Sequence, residues 1–266
     1  MSIAPAGSLH SASGLNKPRI TIRHPGLGDM RDALRLGVED WRISHTEVPI
    51  LAVLAPVAAI VLAAVVTAPA LMPFIFPICA GLSLLGPVAT VWFAALSRAR
   101  EQTGTASAED AAAIFDTPRR ITIQNLGLLA VALYLSWVAV AGYIYFHTLG
   151  ATGSARGLEF FARVITTQAG WEMTVIGCLA GAVFAVIMLG IGLVSFPLAL
   201  DRDVSTGTAL VTAFKAMAQN PAVIFIWGAL VAVLLFLGSL PILLGLAAVM
   251  PILGHATWHM YRRLVE

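Results

Sequence analysis

The chain has 266 residues, 59% of them hydrophobic and 11% charged, with a mean hydropathy of +0.87. A soluble domain carries about a quarter charged residues, so this composition suits lipid as the solvent and excludes an ordinary water-soluble enzyme domain. The net charge is +2, and the basic residues flank apolar runs instead of forming a stripe, so no nucleic-acid partner is expected.

Residues 1–25 are rich in Ser, Gly, Ala and Pro and hold no continuous apolar core. They read as a disordered tail without a cleaved signal peptide, ahead of an integral membrane domain over 26–266. Crossing the hydrocarbon core takes roughly 20 apolar residues in a helix. Six segments meet or approach that length: about 50–68, 74–96, 126–146, 173–196, 222–240 and 241–258. Gly238-Ser239-Leu240-Pro241 divides the last two, because proline suits a helix's first position and cannot donate to a preceding turn. Pro56, Pro87 and Pro251 are expected to kink their spans. The expected fold is therefore all-α, a polytopic bundle of six transmembrane helices.

Three further stretches read as amphipathic helices lying along the membrane. Leu27–Ser44 gathers Met30, Leu34, Val38 and Trp41 on one side, Ala108–Phe115 is shorter, and Ser205–Asn220 carries Leu210, Phe214 and Met217. An external helix is expected over Leu158–Thr166. A surface helix followed by two spans, three times over, suggests a degenerate threefold repeat. Asp29 precedes Pro49 by the same spacing as Asp201 precedes Pro221, and Leu85-Gly86 and Leu253-Gly254 open similar text.

Fourteen of the sixteen Lys and Arg fall on the side that holds both ends of the chain; Arg156 and Arg163 fall on the other. Positively charged loops stay cytoplasmic, which predicts a bacterial inner-membrane protein with both ends in the cytoplasm.

The text "LGPVATVWFAALSRARE" near residues 85–101 carries a family resemblance. So do "FPLALDRDVSTGTALVTAF", "NPAVIFIWGALVAVLLFLGSLPILLG" and "MPILGHATWHMYRR" between 196 and 263. The chain resembles a bacterial integral-membrane family of unestablished function, domain of unknown function 2189. Some of its members are labelled putative cytochrome c oxidase subunits. The resemblance implies an inner-membrane protein and transfers no catalytic residue.

His255 and His259 are four apart on the last expected span and share a helical face, so both could reach a metal or haem. No Cys, Asp or Glu lies beside them in the sequence, and an interfacial role at a helix end is the expected one. Only six histidines occur in all, too few for the haem-copper chemistry of an oxidase's catalytic subunit. Asp201-Arg202-Asp203 is the densest charged cluster and reads as cytoplasmic, with Asp203 or Ser205 capping the next helix. Gly177, Gly181 and Ala185 recur every four residues and read as a helix-packing face. Cys79 and Cys178 read as buried small side chains, with no disulfide or CxxC site. Glu172 reads as an interfacial residue beside Trp171.

No phosphate loop, nucleophile elbow or HExxH motif appears, and the spans hold essentially no ionisable residue. The expected function is a non-enzymatic accessory or scaffold component of an inner-membrane complex, a respiratory one included, in contact with the lipid bilayer and with no cofactor. The alternative is a permease or channel for a neutral or lipid-like solute. The third reading is haem or metal binding through His255 and His259.

Overall fold

The computed structural model describes residues 20–44, 86–153, 158–240 and 245–266, together with positions 56, 60, 63, 73 and 74. Among them α1 spans Leu27–Ser44, α2 Gly86–Thr103 and α3 Ala108–Ala112. α4 spans Arg119–His147, α5 Leu158–Thr166, α6 Gln168–Gly190 and α7 Phe196–Asp201. α8 spans Thr206–Gln219, α9 Pro221–Ser239 and α10 Leu246–Leu264. The described residues are helical apart from connections and one isolated antiparallel bridge, Ile22 to Val265.

Three of these segments are long and apolar enough to cross a bilayer: Arg119–Thr152, Gln168–Asp201 and Pro221–Ser239. They coincide with the third, fourth and fifth expected spans. Only 17–28% of the residues in their most apolar stretches are buried, and Leu128, Leu179, Phe225 and Phe236 stand out on the surface. Apolar surface that continuous belongs against hydrocarbon. Most of the first and second expected spans lies outside the described residues, as do most of the first hairpin's share of the threefold repeat and Pro241–Leu244. The described part of the sixth, α10, is not among the apolar candidates. Its second half, from Leu253 to Leu264, is packed within the protein and ends in Arg262 and Arg263.

At about 1.5 Å per residue, the two 34-residue segments run to about 51 Å, against a hydrocarbon core of about 30 Å. The excess builds the core of the molecule. Gln168–Asp201 runs from α6 through a π-helical turn over Ile191–Ser195 into α7, and from Ile191 to Leu200 every residue is buried. Pro197 has no N–H to give to Leu193, and the wider turn just before it absorbs the lost bond. Around this segment α1, α2, α3, α8 and the second half of α10 pack into one cluster, centred on Phe196, Trp227, Trp258 and Tyr261. A small second cluster, Leu149 with Phe160, closes the opposite end of the spans.

Two amphipathic helices are rotated from their expected faces. α1 buries Met30, Ala33, Gly37 and Asp40, and α8 buries Ala209, Thr212, Ala213 and Ala216, while Phe214 is exposed. Small residues let the helix backbones approach, and the larger apolar side chains flank the contact. α3 starts in a capping box: Ser107 accepts from the Asp110 N–H, and the Asp110 carboxylate accepts from the Ser107 N–H. Ser205 caps α8 by accepting from the Thr208 N–H.

Residues 20–25, placed in the tail by composition, are instead pinned to the C-terminus. The Thr21 and Arg23 N–H groups donate to the Glu266 and Leu264 carbonyls at 2.9 Å, and Arg23 pairs with the Glu266 carboxylate at 2.5 Å. Buried Asn220 donates to the Arg23 carbonyl and bonds His24 at 2.9 Å, tying the strap to the start of α9.

The packing face expected on α6 is only partly one. A Cβ on Gly181 would lie 3.0 Å from the Trp137 ring of α4, whereas Gly177 has open space beside it and Ala185 is exposed. Cys178 is not buried in protein but exposed on α6, inside a candidate span; Cys79 lies outside the described residues. Lipid, not protein, then shields Cys178. A charged, membrane-impermeant thiol reagent should leave it untouched in intact membranes and label it once the protein is denatured in detergent. Rapid labelling by the charged reagent would place α6 beside water.

Candidate functional site

The densest polar cluster joins α1, α2 and α10, and it forms because three small-residue helix faces meet. A Cβ on Gly37 would lie 2.7 Å from the Ala256 Cβ and backbone nitrogen, and one on Gly254 would overlap the Phe93 ring. Contacts that close bring Asp40, one turn beyond Gly37, onto the histidine face of α10.

Asp40 is 5% exposed, and both of its carboxylate oxygens are engaged. Oδ2 accepts from Ser97 Oγ at 2.5 Å and from His259 Nε2 at 2.8 Å, while Oδ1 accepts from the Arg100 guanidinium. Burial by itself pushes the Asp40 carboxyl up. The hydrogen bonds from His259 and Ser97, with the charge the two histidines carry when protonated, outweigh it, so the group sits below the ordinary carboxylate range.

Proton accounting sets the next link. Ser97 has one hydroxyl proton and gives it to the carboxylate, so its oxygen accepts from His255 Nδ1 at 2.8 Å. His255 is 1% exposed, and its Nε2 lies 3.2 Å from Ser44 Oγ. With Nδ1 carrying the hydrogen, Nε2 of a neutral His255 is an acceptor, and it shares the single Ser44 hydroxyl proton with the Trp41 carbonyl at 3.4 Å. The Phe93 ring lies 5.4 Å from the imidazole and closes its side. A continuous chain thus runs Ser44, His255, Ser97, Asp40, His259. The space beside it amounts to about 10 Å³, at most a single water.

The two histidines do share a face, yet they are not interfacial decoration. The expectation that no carboxylate accompanies them is overturned by Asp40, which stands 219 positions from His259. Among the described residues no three His, Cys, Asp or Glu side chains gather in a way that could hold a metal ion. Both ring nitrogens of His255, and Nε2 of His259, are taken by the protein's own groups.

A second polar layer lies beside the first. Glu101 of α2 accepts from Trp258 Nε1 at 2.9 Å and from Arg262 Nε at 3.1 Å. Asp201 is half-buried. Its Oδ2 accepts the buried Tyr261 hydroxyl at 2.9 Å and lies 3.6 Å from Arg262, while its neighbour Arg202 approaches to 3.5 Å. Burial, followed by the Asp201 charge, pushes the Tyr261 phenol up, so it remains a donor. Asp203 is exposed and stands apart from this layer. On α1, Asp29 and Asp32 flank Arg263 at 3.3 and 3.8 Å.

Sequence reasoning missed Asp40, Ser97, Arg100 and Glu101 as site residues. One local signal existed: Asp40 follows Ala33 and Gly37 at helical spacing, placing a carboxylate on a small-residue face that a surface helix would not bury.

Residues 75–201 match the model of the family described as predicted integral membrane protein, domain of unknown function 2189. This is the family suspected from the sequence, although the match ends at Asp201 and leaves out nearly all of the C-terminal text that suggested it. No curated protein and no solved structure matches the chain.

Proposed function

We propose that this integral membrane protein is a non-enzymatic scaffold or accessory component of an inner-membrane assembly. One observation carries the reading: the carboxylates of Asp40, Glu101 and Asp201 are spent on partners from other helices, while the spans turn broad apolar flanks outward. Asp40 takes donors from α2 and α10, Glu101 takes two from α10, and Asp201 binds Tyr261. Such bonds hold a platform rigid, and small-residue and apolar flanks are what neighbouring membrane helices pack against.

The test is purification of the full chain in mild detergent with mass spectrometry of what accompanies it. A membrane protein recovered in stoichiometric amount supports the reading. Its absence, together with facilitated leakage of a neutral solute from reconstituted vesicles, would favour a permease and sink the scaffold. The histidines are tested in the same preparation. His255→Gln with His259→Gln should leave the absorption spectrum unchanged, yet lower stability by about 1–3 kcal/mol through unsatisfied buried partners. Loss of a bound chromophore would instead favour a haem site.

The pairing of residues 20–25 with the C-terminal residues supports placing both on one side of the membrane, and the excess of Lys and Arg there favours the cytoplasm. Reporter fusions after Glu266 and within residues 16–29 should both report cytoplasm, and one within 151–156 periplasm. A fusion pair reporting opposite sides would refute the topology.

A further inference from the structure

A cavity of about 190 Å³ opens between α2, α3 with its 3₁₀ extension over Ala113–Asp116, and the start of α4. Two guanidinium groups line it, Arg98 from α2 and Arg119, the first residue of α4. Arg98 is unusual in the molecule. Its Nε is buried without a hydrogen-bond partner, and its guanidinium forms no ion pair among the described residues. The two carboxylates whose charge reaches it, Asp201 and Glu101, are taken by Tyr261, Trp258 and Arg262. Burial, and then the like charge of Arg119, lower the Arg98 pKa, although an arginine stays protonated.

The remaining polar lining is Gln102, Thr103, Thr117 and Asp110. Thr103 and Thr117 spend their hydroxyl protons on the Ala99 and Ile114 carbonyls, and Arg119 gives one N–H to the Leu200 carbonyl at 3.0 Å. Asp110 is the one carboxylate on the rim, held by the Ser107 N–H and hydroxyl, so the lining keeps an excess of one positive charge. The α4 dipole adds positive potential at the same place. A half-buried guanidinium with no ion pair among the described residues, lining one cavity with a second guanidinium, suits an anion with several acceptor oxygens, and planar N–H forks match phosphate.

The cavity lies beside Arg119, where the apolar segment Arg119–Thr152 starts, and Leu200, where Gln168–Asp201 ends. We propose that this cavity binds a phosphate group, drawn either from an anionic phospholipid at the membrane surface or from free phosphate, with Arg98 and Arg119 as its ligands.

The experiment uses the full chain in nanodiscs of phosphatidylcholine with or without phosphatidylglycerol. Native mass spectrometry reads retained lipid, and equilibrium dialysis reads bound inorganic phosphate. Arg98→Gln should weaken whichever probe binds by about tenfold or more, the usual weight of a hydrogen bond to a charged group. Ala113→Phe fills the cavity from its exposed rim with both arginines intact and should do the same, which keeps the test valid if Arg98→Gln fails to fold. Retained phosphatidylglycerol lost in the variants identifies a lipid headgroup; saturable phosphate binding lost in them identifies a free anion. A wild type that binds neither probe, or binding unaffected by Ala113→Phe, overturns the proposal.

Discussion

Asp40→Ala should lower the stability of the detergent-solubilised protein by about 3–5 kcal/mol, the usual cost of removing one partner from a buried ionic cluster. The substitution strands the Arg100 guanidinium and removes the acceptor for Ser97 and His259 at once. Denaturant titration followed by circular dichroism would measure the loss, and a change below about 1 kcal/mol would mean that the cluster is solvated rather than buried. The same carboxylate sets a pH dependence. Its folded pKa lies below the ordinary carboxylate value of 3.8, so its contribution is complete above that value and is lost as pH falls through the folded value. Asp40→Asn should therefore flatten the acid limb of the stability curve while leaving the profile from pH 5 to 8 parallel to the wild type.

Gly37→Ala should cost about 1–3 kcal/mol despite the higher helix propensity of alanine, because the added methyl meets backbone as well as side chain. It would lie 2.7 Å from the Ala256 nitrogen and 2.8 Å from the Ile252 carbonyl oxygen, atoms that can retreat only if α1 and α10 separate. Separation would also lengthen the Asp40–His259 bond, so the effects of Gly37→Ala and Asp40→Ala should be less than additive in the double variant. Gly28, on the same helix with open space beside it, is the control. Gly28→Ala should be neutral or stabilising by less than about 1 kcal/mol. Equal behaviour of the two alanines would refute the close contact between α1 and α10.

The segments that face lipid were legible in the residues themselves. Helices 126–146, 173–196 and 222–240 announce themselves because, in hydrocarbon, the signal for a span is composition summed over some twenty neighbours, and each of these runs is nearly free of charge. The short helices at 108–115, 158–166 and 205–220 were also readable, from periodicity and from caps such as Ser205. All of these are local properties of contiguous chain.

Which face each helix buries was not local, and there the expectations failed. Large apolar residues on α1 and α8 suggested the buried sides, but around lipid those residues are satisfied at the periphery. Closeness of approach is set instead by Gly37, Ala33, Ala209 and Ala213. His255 and His259 read as interfacial because their nearest sequence neighbours are Trp258, Tyr261 and two arginines. Their actual partners, Asp40 and Ser97, come from helices 158 and 219 positions away. The amino-acid sequence by itself determined the solvent, the helices and the apolar spans, since each depends on a window of adjacent residues. Only the tertiary structure decided that Asp40 is buried, that His255 is a link in a hydrogen-bond chain and that Arg98 has no ion pair among the described residues. Those outcomes depend on which side chains three packed helices bring within 3 Å, and no window along the chain contains them.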